Sequence, residues 1–198
     1  ANPIETAVGQ LGVTATTAGT INIDNTGDLT LKAITVQGDV AISAASSMTI
    51  SSAVNTGGGN LDLDVTDDIH INAAVTTGGG AVTAQADNDL TFAAAGSLTT
   101  AGGTIVLRAD DDGDNDGSGG ALAMTNGSEV SSGSGVITLT ADGDIDVSRL
   151  VTTNDSATAI TITSTSGSLL DAGDGGGADI VATADDSVVT VATVTGIG

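Results

Sequence analysis

The densest run of chemically competent side chains is Asp110-Asp111-Asp112-Gly113-Asp114-Asn115-Asp116-Gly117-Ser118-Gly119-Gly120. Carboxylates at alternate positions, Asp112, Asp114 and Asp116, followed by Gly117, match the opening of a calcium loop, in which hard oxygen ligands two residues apart converge on one ion. The bidentate Glu that closes an EF-hand is missing, since its position is Ala123. A looser calcium site built from Asp110, Asp112, Asp114 and Asp116 with backbone carbonyls stays open. So does a solvated acidic bulge, which a scaffold tolerates on its flank. A second stretch, Gly175-Gly176-Gly177-Ala178-Asp179-Ile180-Val181, approximates the glycine-aspartate nonapeptide of calcium-binding β-rolls. Asp174 stands at its first glycine and no second copy follows, so it reads as a corner turn.

Catalysis finds less material. A lyase acting on acidic polysaccharides needs basic side chains to neutralise the uronate and take a proton. The chain offers only Lys32, Arg108 and Arg149, far apart in sequence. A hydrolase needs two carboxylates about 5 to 10 Å apart. Among 25 acidic residues such a pair arises by chance and identifies nothing. His70, between Ile69 and Ile71, faces outward by alternation, as an exposed histidine rather than a metal ligand. Asn126-Gly127-Ser128 and Asn154-Asp155-Ser156 fit the glycosylation sequon, a match so short that it arises by chance. The expectation is a non-enzyme.

The elements that carry these residues repeat. An apolar-x-apolar triplet begins at Ile21 and returns at Val40, Leu61, Val82, Ile105, Ile137, Ile160 and Ile180, in steps of 19, 21, 21, 23, 32, 23 and 20 residues. A second triplet follows most of the first ones, at Leu29, Met48, Ile69, Leu90, Leu122 and Ile145, and is blurred at Leu169-Leu170 and Val188-Val189. Polar turns such as Asp24-Asn25-Thr26-Gly27-Asp28 separate the two, and glycine turns such as Gly57-Gly58-Gly59 and Gly78-Gly79-Gly80 close each unit. Short strands at a fixed period near 20 residues predict a parallel β-solenoid of about eight rungs, with Val, Ile, Leu and Ala inside and Thr, Ser, Asp and Asn outside. A tandem of Ig-like sandwiches predicts Trp or Tyr anchors and no such period.

The first twelve residues read differently. Asn2 as N-cap, Pro3 at the first helical position, Glu5 three after the cap, and Ile4, Ala7, Val8 and Leu11 on one face predict a short amphipathic helix ended by Gly12. The expected organisation is therefore a capping or junction helix over 1–12 and a β-helix over 13–198. A helix there covers the open first rung, whose bare core and strand edges invite stacking. Strand-like Val188-Val189-Thr190-Val191 followed by Thr195-Gly196-Ile197-Gly198 lacks a polar cap, which makes Pro3, Ile4, Ala7, Val8, Leu11, Val191, Val194 and Ile197 the candidate interface between modules.

Composition narrows the partners. A formal charge of −22 repels phosphate backbones and anionic headgroups, so nucleic acid is excluded as an expected partner, and no apolar run is long enough for direct membrane insertion by a helix. Cysteine is absent, and Thr, Ser, Asp, Asn, Gly and Ala dominate. That bias accords with very large secreted bacterial surface proteins.

The opening Asn2-Pro3-Ile4-Glu5-Thr6, with Gly19-Thr20-Ile21-Asn22-Ile23 and Gly27-Asp28-Leu29-Thr30-Leu31, resembles the module start of giant bacterial β-strand-repeat surface proteins, similar in style to filamentous-haemagglutinin adhesins. The resemblance implies a right-handed parallel β-helix, secretion to the bacterial cell surface, and a role in adhesion or an extracellular fibre. The Asn-Pro-Asn-Gly signature of the haemagglutinin secretion domain is not matched, because Asn2-Pro3 runs into Ile4-Glu5. The expected function is a structural module of an extracellular filament or adhesin stalk, stacking head-to-tail with copies of itself or adjacent modules. The alternative is an adhesin module binding cell-surface glycans. Calcium is the one cofactor with candidate ligands.

Overall fold

A computed structural model of the protein describes residues 2–110, 120–173 and 176–198. Every strand pairing within it is parallel, and the strands wind into a β-solenoid of about eight turns with three faces. The first face stacks nine strands, from Ile4–Thr6 through Ile21–Asn25, Val40–Ala44, Leu61–Val65, Val82–Ala86, Ile105–Ala109, Ile137–Ala141 and Ile160–Ser164 to Val189–Ala192. The second face stacks the triplets at Leu29, Met48, Ile69, Leu90, Leu122, Ile145, Leu169 and Ile197. The third stacks Ile34, Val54, Val75, Leu98, Val130, Leu150 and Ile180. Near the N-terminal end, Gln10–Ala18 and Leu29–Gln37 run unbroken across the second and third faces. Eight layers at about 4.8 Å each span roughly 40 Å.

The interior follows from strict alternation. In Leu61–Val65 the apolar Leu61, Leu63 and Val65 are buried while Asp62 and Asp64 are exposed, and the same inside-outside rhythm holds along the rod. Because the register is in phase, each column is filled by like residues. One column runs Ile42, Leu63, Ala84, Leu107, Leu139, Ile162, all buried. Phe92, the single aromatic, is among the most deeply buried side chains.

Two sequence expectations are corrected. Among the described residues there is no helix, and the amphipathic helix expected over 1–12 is replaced by the strands Ile4–Thr6 and Gln10–Ala18. A helix of so few residues does not repay its nucleation, whereas a strand laid on the existing edge satisfies its backbone at once. Ile4, Glu5 and Thr6 pair with Ile23, Asp24 and Asn25, and Leu11, Val13 and Ala15 alternate inward against the core. Gly12 is a mid-strand residue, not a helix C-cap. The second correction concerns register: Ile180 belongs to the third face, paired with Leu150, while the first-face strand of the last coil is Val189–Ala192. Val188-Val189 is accordingly not a second-face triplet; that position is Gly196–Ile197.

Candidate functional site

The corners decide how tightly the coils can stack. Between the third and first faces runs a column of glycines two residues before six of the nine first-face strands: Gly19, Gly38, Gly59, Gly80, Gly103 and Gly135. A Cβ placed on Gly80 would lie 2.0 Å from the Gly59 carbonyl oxygen, and one on Gly103 2.1 Å from that of Gly80. Only glycine fits at Gly38, Gly59, Gly80, Gly103 and Gly135, whereas a Cβ on Gly19 would meet nothing within 4 Å. Beneath this column lies a ladder of buried hydroxyls, Thr56, Thr77, Thr100, Ser132 and Thr152. Thr56 and Thr77 donate to the carbonyls of Gly59 and Gly80, Thr100 to Gly103 at 2.6 Å, and Ser132 to Gly135 at 2.6 Å. The turn carbonyls would otherwise be buried without partners. The repeated Thr-x-Gly-Gly spelling at 56–59, 77–80 and 100–103 was the signal for both columns.

The corner between first and second faces is acidic. Asp68 and Asp89 each accept the backbone N–H of the next coil, from Asp89 at 3.1 Å and from Ala121 at 2.9 Å, and Asp144 accepts that of Ser168 at 2.8 Å. These carboxylates tie coil to coil. Asp62 on the first face and Asp146 on the second have their carboxyls pushed above the ordinary aspartate range, by burial first and by the neighbouring Asp64 and Asp144 second.

The sequence-predicted chemistry disperses. Of the calcium candidates, Asp112, Asp114 and Asp116 lie outside the described residues. Asp110 stands at the base of that loop with φ +58°, its N–H donated to the Asn88 carbonyl at 3.1 Å. Among the described residues no group of three or more His, Cys, Asp or Glu side chains is arranged to hold a metal. Of the nonapeptide-like stretch, Asp174 and Gly175 lie outside the described residues, and Ile180-Val181 enters a third-face strand. Arg108 is on the first face, while Lys32 and Arg149 both stand between the second and third faces in coils far apart along the rod, and Arg149 Nε pairs with Glu129 Oε2 at 3.0 Å. His70 faces outward as expected and shares a hydrogen bond with Thr91 Oγ1 at 2.8 Å. In the two sequons, Ser128 is buried and Ser156 donates to its own Asn154.

What the structure does bring together is apolar surface at the two ends. The exposed large hydrophobics are Ile4 and Val8 at one end and Val188, Val189, Val194 and Ile197 at the other. Ile4 is 66% exposed, and Val194 and Ile197 are 69% exposed. Of the other predicted interface residues, Ala7 is exposed, Pro3 is half-buried, and Leu11 and Val191 pack partly against the core. Val188 and Val189 belong to the exposed set although sequence reasoning read them as a blurred second triplet and did not count them in the interface. At the first end a cavity of about 500 Å³, lined by Ile4, Val13, Ile21 and Ile23 among others, opens into the core. At the other a cavity of about 190 Å³ is lined by Val147, Leu169, Leu170, Ile180 and Ile197, with Asp171 and Asp179 at its wall. Asp171 stands in register with Val147, so a carboxylate occupies a core column there and remains exposed. No protein-family model, no curated protein and no solved structure matches this chain.

Proposed function

We propose that this chain is a structural module, a β-solenoid rod forming part of an extracellular filament or adhesin stalk at a bacterial surface, stacking head-to-tail with copies of itself or with adjacent modules. The observation that carries it is the placement of the exposed large apolar residues, which among the described residues lie only in the first and last coils. Each end offers apolar core and unpaired strand edges of matching polarity, which is what the next parallel coil needs. A contact joining one end to the opposite end of a neighbour does not close, and so builds a filament. The winding is taken as right-handed, the sense that parallel crossovers almost always adopt. The acidic flanks keep rods hydrated and apart. The surface location rests on the resemblance of Asn2-Pro3-Ile4-Glu5-Thr6 and the turns after it to bacterial surface modules.

The test is electron microscopy with sedimentation velocity on the chain, on Ile4→Asp, and on the pair Val194→Asp with Ile197→Asp. The expected result is concentration-dependent end-to-end association of the unaltered chain that either set of substitutions abolishes without lowering the melting temperature. Isolated short rods at every concentration would overturn the reading.

A further inference from the structure

The turn joining Leu122–Met124 to Glu129–Gly133 contains Asn126-Gly127, the one place in the chain where glycine follows asparagine. Both residues are exposed, and Gly127 has φ +99°. The turn is closed by the Ser128 N–H, donated to the Thr125 carbonyl at 3.0 Å. Two further bonds hold it. Asn126 Nδ2 donates to the Gly173 carbonyl at 3.1 Å, and the Gly127 N–H donates to Ser148 Oγ at 3.1 Å. The first ties a corner of one coil to the coil two layers on, passing over the coil that carries Ser148.

We propose that Asn126 is a site of spontaneous deamidation, a self-modification that converts the turn to isoaspartate and releases this strap. The reaction needs only water. The backbone nitrogen of Gly127, after losing its proton, attacks Asn126 Cγ; the new C–N bond closes a five-membered imide and the side-chain nitrogen leaves as ammonia. Water then opens the imide at either carbonyl, giving aspartate or, with the backbone rerouted through the side chain, isoaspartate. No electron donor or acceptor is involved. Glycine leaves the attacking nitrogen uncrowded, and the Ser148 hydroxyl lies against it. The two hydrogen bonds oppose the reaction, but each is a single neutral bond of modest net strength, so each slows closure by roughly tenfold or less.

The consequence is structural. A carboxylate has no N–H to offer the Gly173 carbonyl and repels it. It also adds a negative charge beside a groove of about 390 Å³ whose walls include Asp146 and Asp171 with Thr125 and Gly173. The strap between the two coils is therefore lost.

The experiment incubates the purified full chain in mildly alkaline buffer at body temperature for days, with a urea-unfolded sample beside it, and maps asparagine conversion by digestion and mass spectrometry. Conversion at Asn126 ahead of Asn60, Asn88 and Asn154, with isoaspartate in excess and none in Asn126→Gln, is the expected result. Asn126→Asp, which carries the charge without the rerouted backbone, is expected to show faster exchange of the backbone N–H of Ala172 and Gly173. An Asn126 that stays an amide in the folded chain while the unfolded chain converts, or conversion spread evenly over the asparagines, would overturn the proposal.

Discussion

At the scale of single residues, the rod is held in register by positions that carry no apolar surface. Gly80 is one: an added Cβ meets the Gly59 carbonyl at 2.0 Å and the next backbone nitrogen at 2.8 Å, and neither is the end of a flexible side chain. Gly80→Ala therefore forces two coils apart, an overpacking cost of about 3 kcal/mol by urea unfolding. Gly27→Ala, where the added carbon meets nothing within 4 Å, is expected to change stability by less than about 0.5 kcal/mol. Equal losses at the two sites would remove the column from the account. Asp62 and Asp146 act through charge. Both carboxyls are raised by burial and a neighbouring aspartate, so the folded state holds their protons more tightly than the unfolded chain does. A raised pKa contributes stability that is complete below the unfolded value and is lost as pH rises through the folded one. The melting temperature is thus expected to climb as pH falls from neutral into the ordinary aspartate range, and the climb to be shallower in Asp62→Asn and Asp146→Asn. A melting temperature that falls over that interval in all three proteins contradicts the assignment.

At the scale of elements, the period and the three-strand coil were legible because apolar alternation and glycine turns recur together, as in Leu61-Asp62-Leu63 followed by Ile69-His70-Ile71 and Val75. What misleads at the far end is spelling: most third-face strands read apolar-x-Thr or apolar-x-Ser, as at Val75-Thr76-Thr77, Leu98-Thr99-Thr100 and Leu150-Val151-Thr152, whereas Ile180-Val181-Ala182 carries alanine at the hydroxyl position and so reads as a first-face triplet. Up to Ile160 the turn lengths keep the count. Beyond it the long connection between Asp171 and Ile180 resets it, and Ile180-Val181-Ala182 looks like a first-face strand while it pairs with Leu150-Val151-Thr152. The opening residues misled for a different reason: Ile4, Ala7, Val8 and Leu11 satisfy helical spacing, yet Leu11, Val13 and Ala15 satisfy strand spacing equally well. The neighbouring edge decides between them, and an edge is not visible in a local window. Gly12 separates the alternatives experimentally. As a mid-strand residue it has only ordinary contacts for a Cβ, 3.5 Å from the Ala33 oxygen, and its φ is not in the left-handed range. Gly12→Ala is expected to be neutral or to stabilise by about 0.5 kcal/mol through the unfolded chain. At a left-handed helix cap the same change costs about 1 kcal/mol.

At the scale of the whole molecule, a solenoid has no single centre. Each coil contacts its neighbours only, so stability is a sum of coil terms and coil-to-coil terms, and the end coils have one neighbour in place of two. The terminal strands at both ends contain no buried residue, but the two ends are unequal in strand length. Ile4–Thr6 is backed by Gln10–Ala18, a long strand running the full second and third faces, whereas the far end thins to Val189–Ala192 and the two-residue strand Gly196–Ile197. Ile180–Ala182 there has no buried residue, although its equivalents Leu150, Val130 and Leu98 are buried. Opening should therefore begin at Val189–Ala192 and Ile180–Ala182 and travel inward, with the coils of Leu61–Val65, Val82–Ala86 and Ile105–Ala109 last. Hydrogen exchange followed by mass spectrometry reads this as a gradient of protection, slowest in those three strands and fastest at the far end. Head-to-tail association gives the terminal coils a second neighbour, so in concentrated samples protection at Val189–Ala192 and at Ile4–Thr6 should rise together while the middle coils hold their values. A flat profile would mean the rod unfolds as one unit, and a gradient insensitive to concentration would leave the ends uncovered.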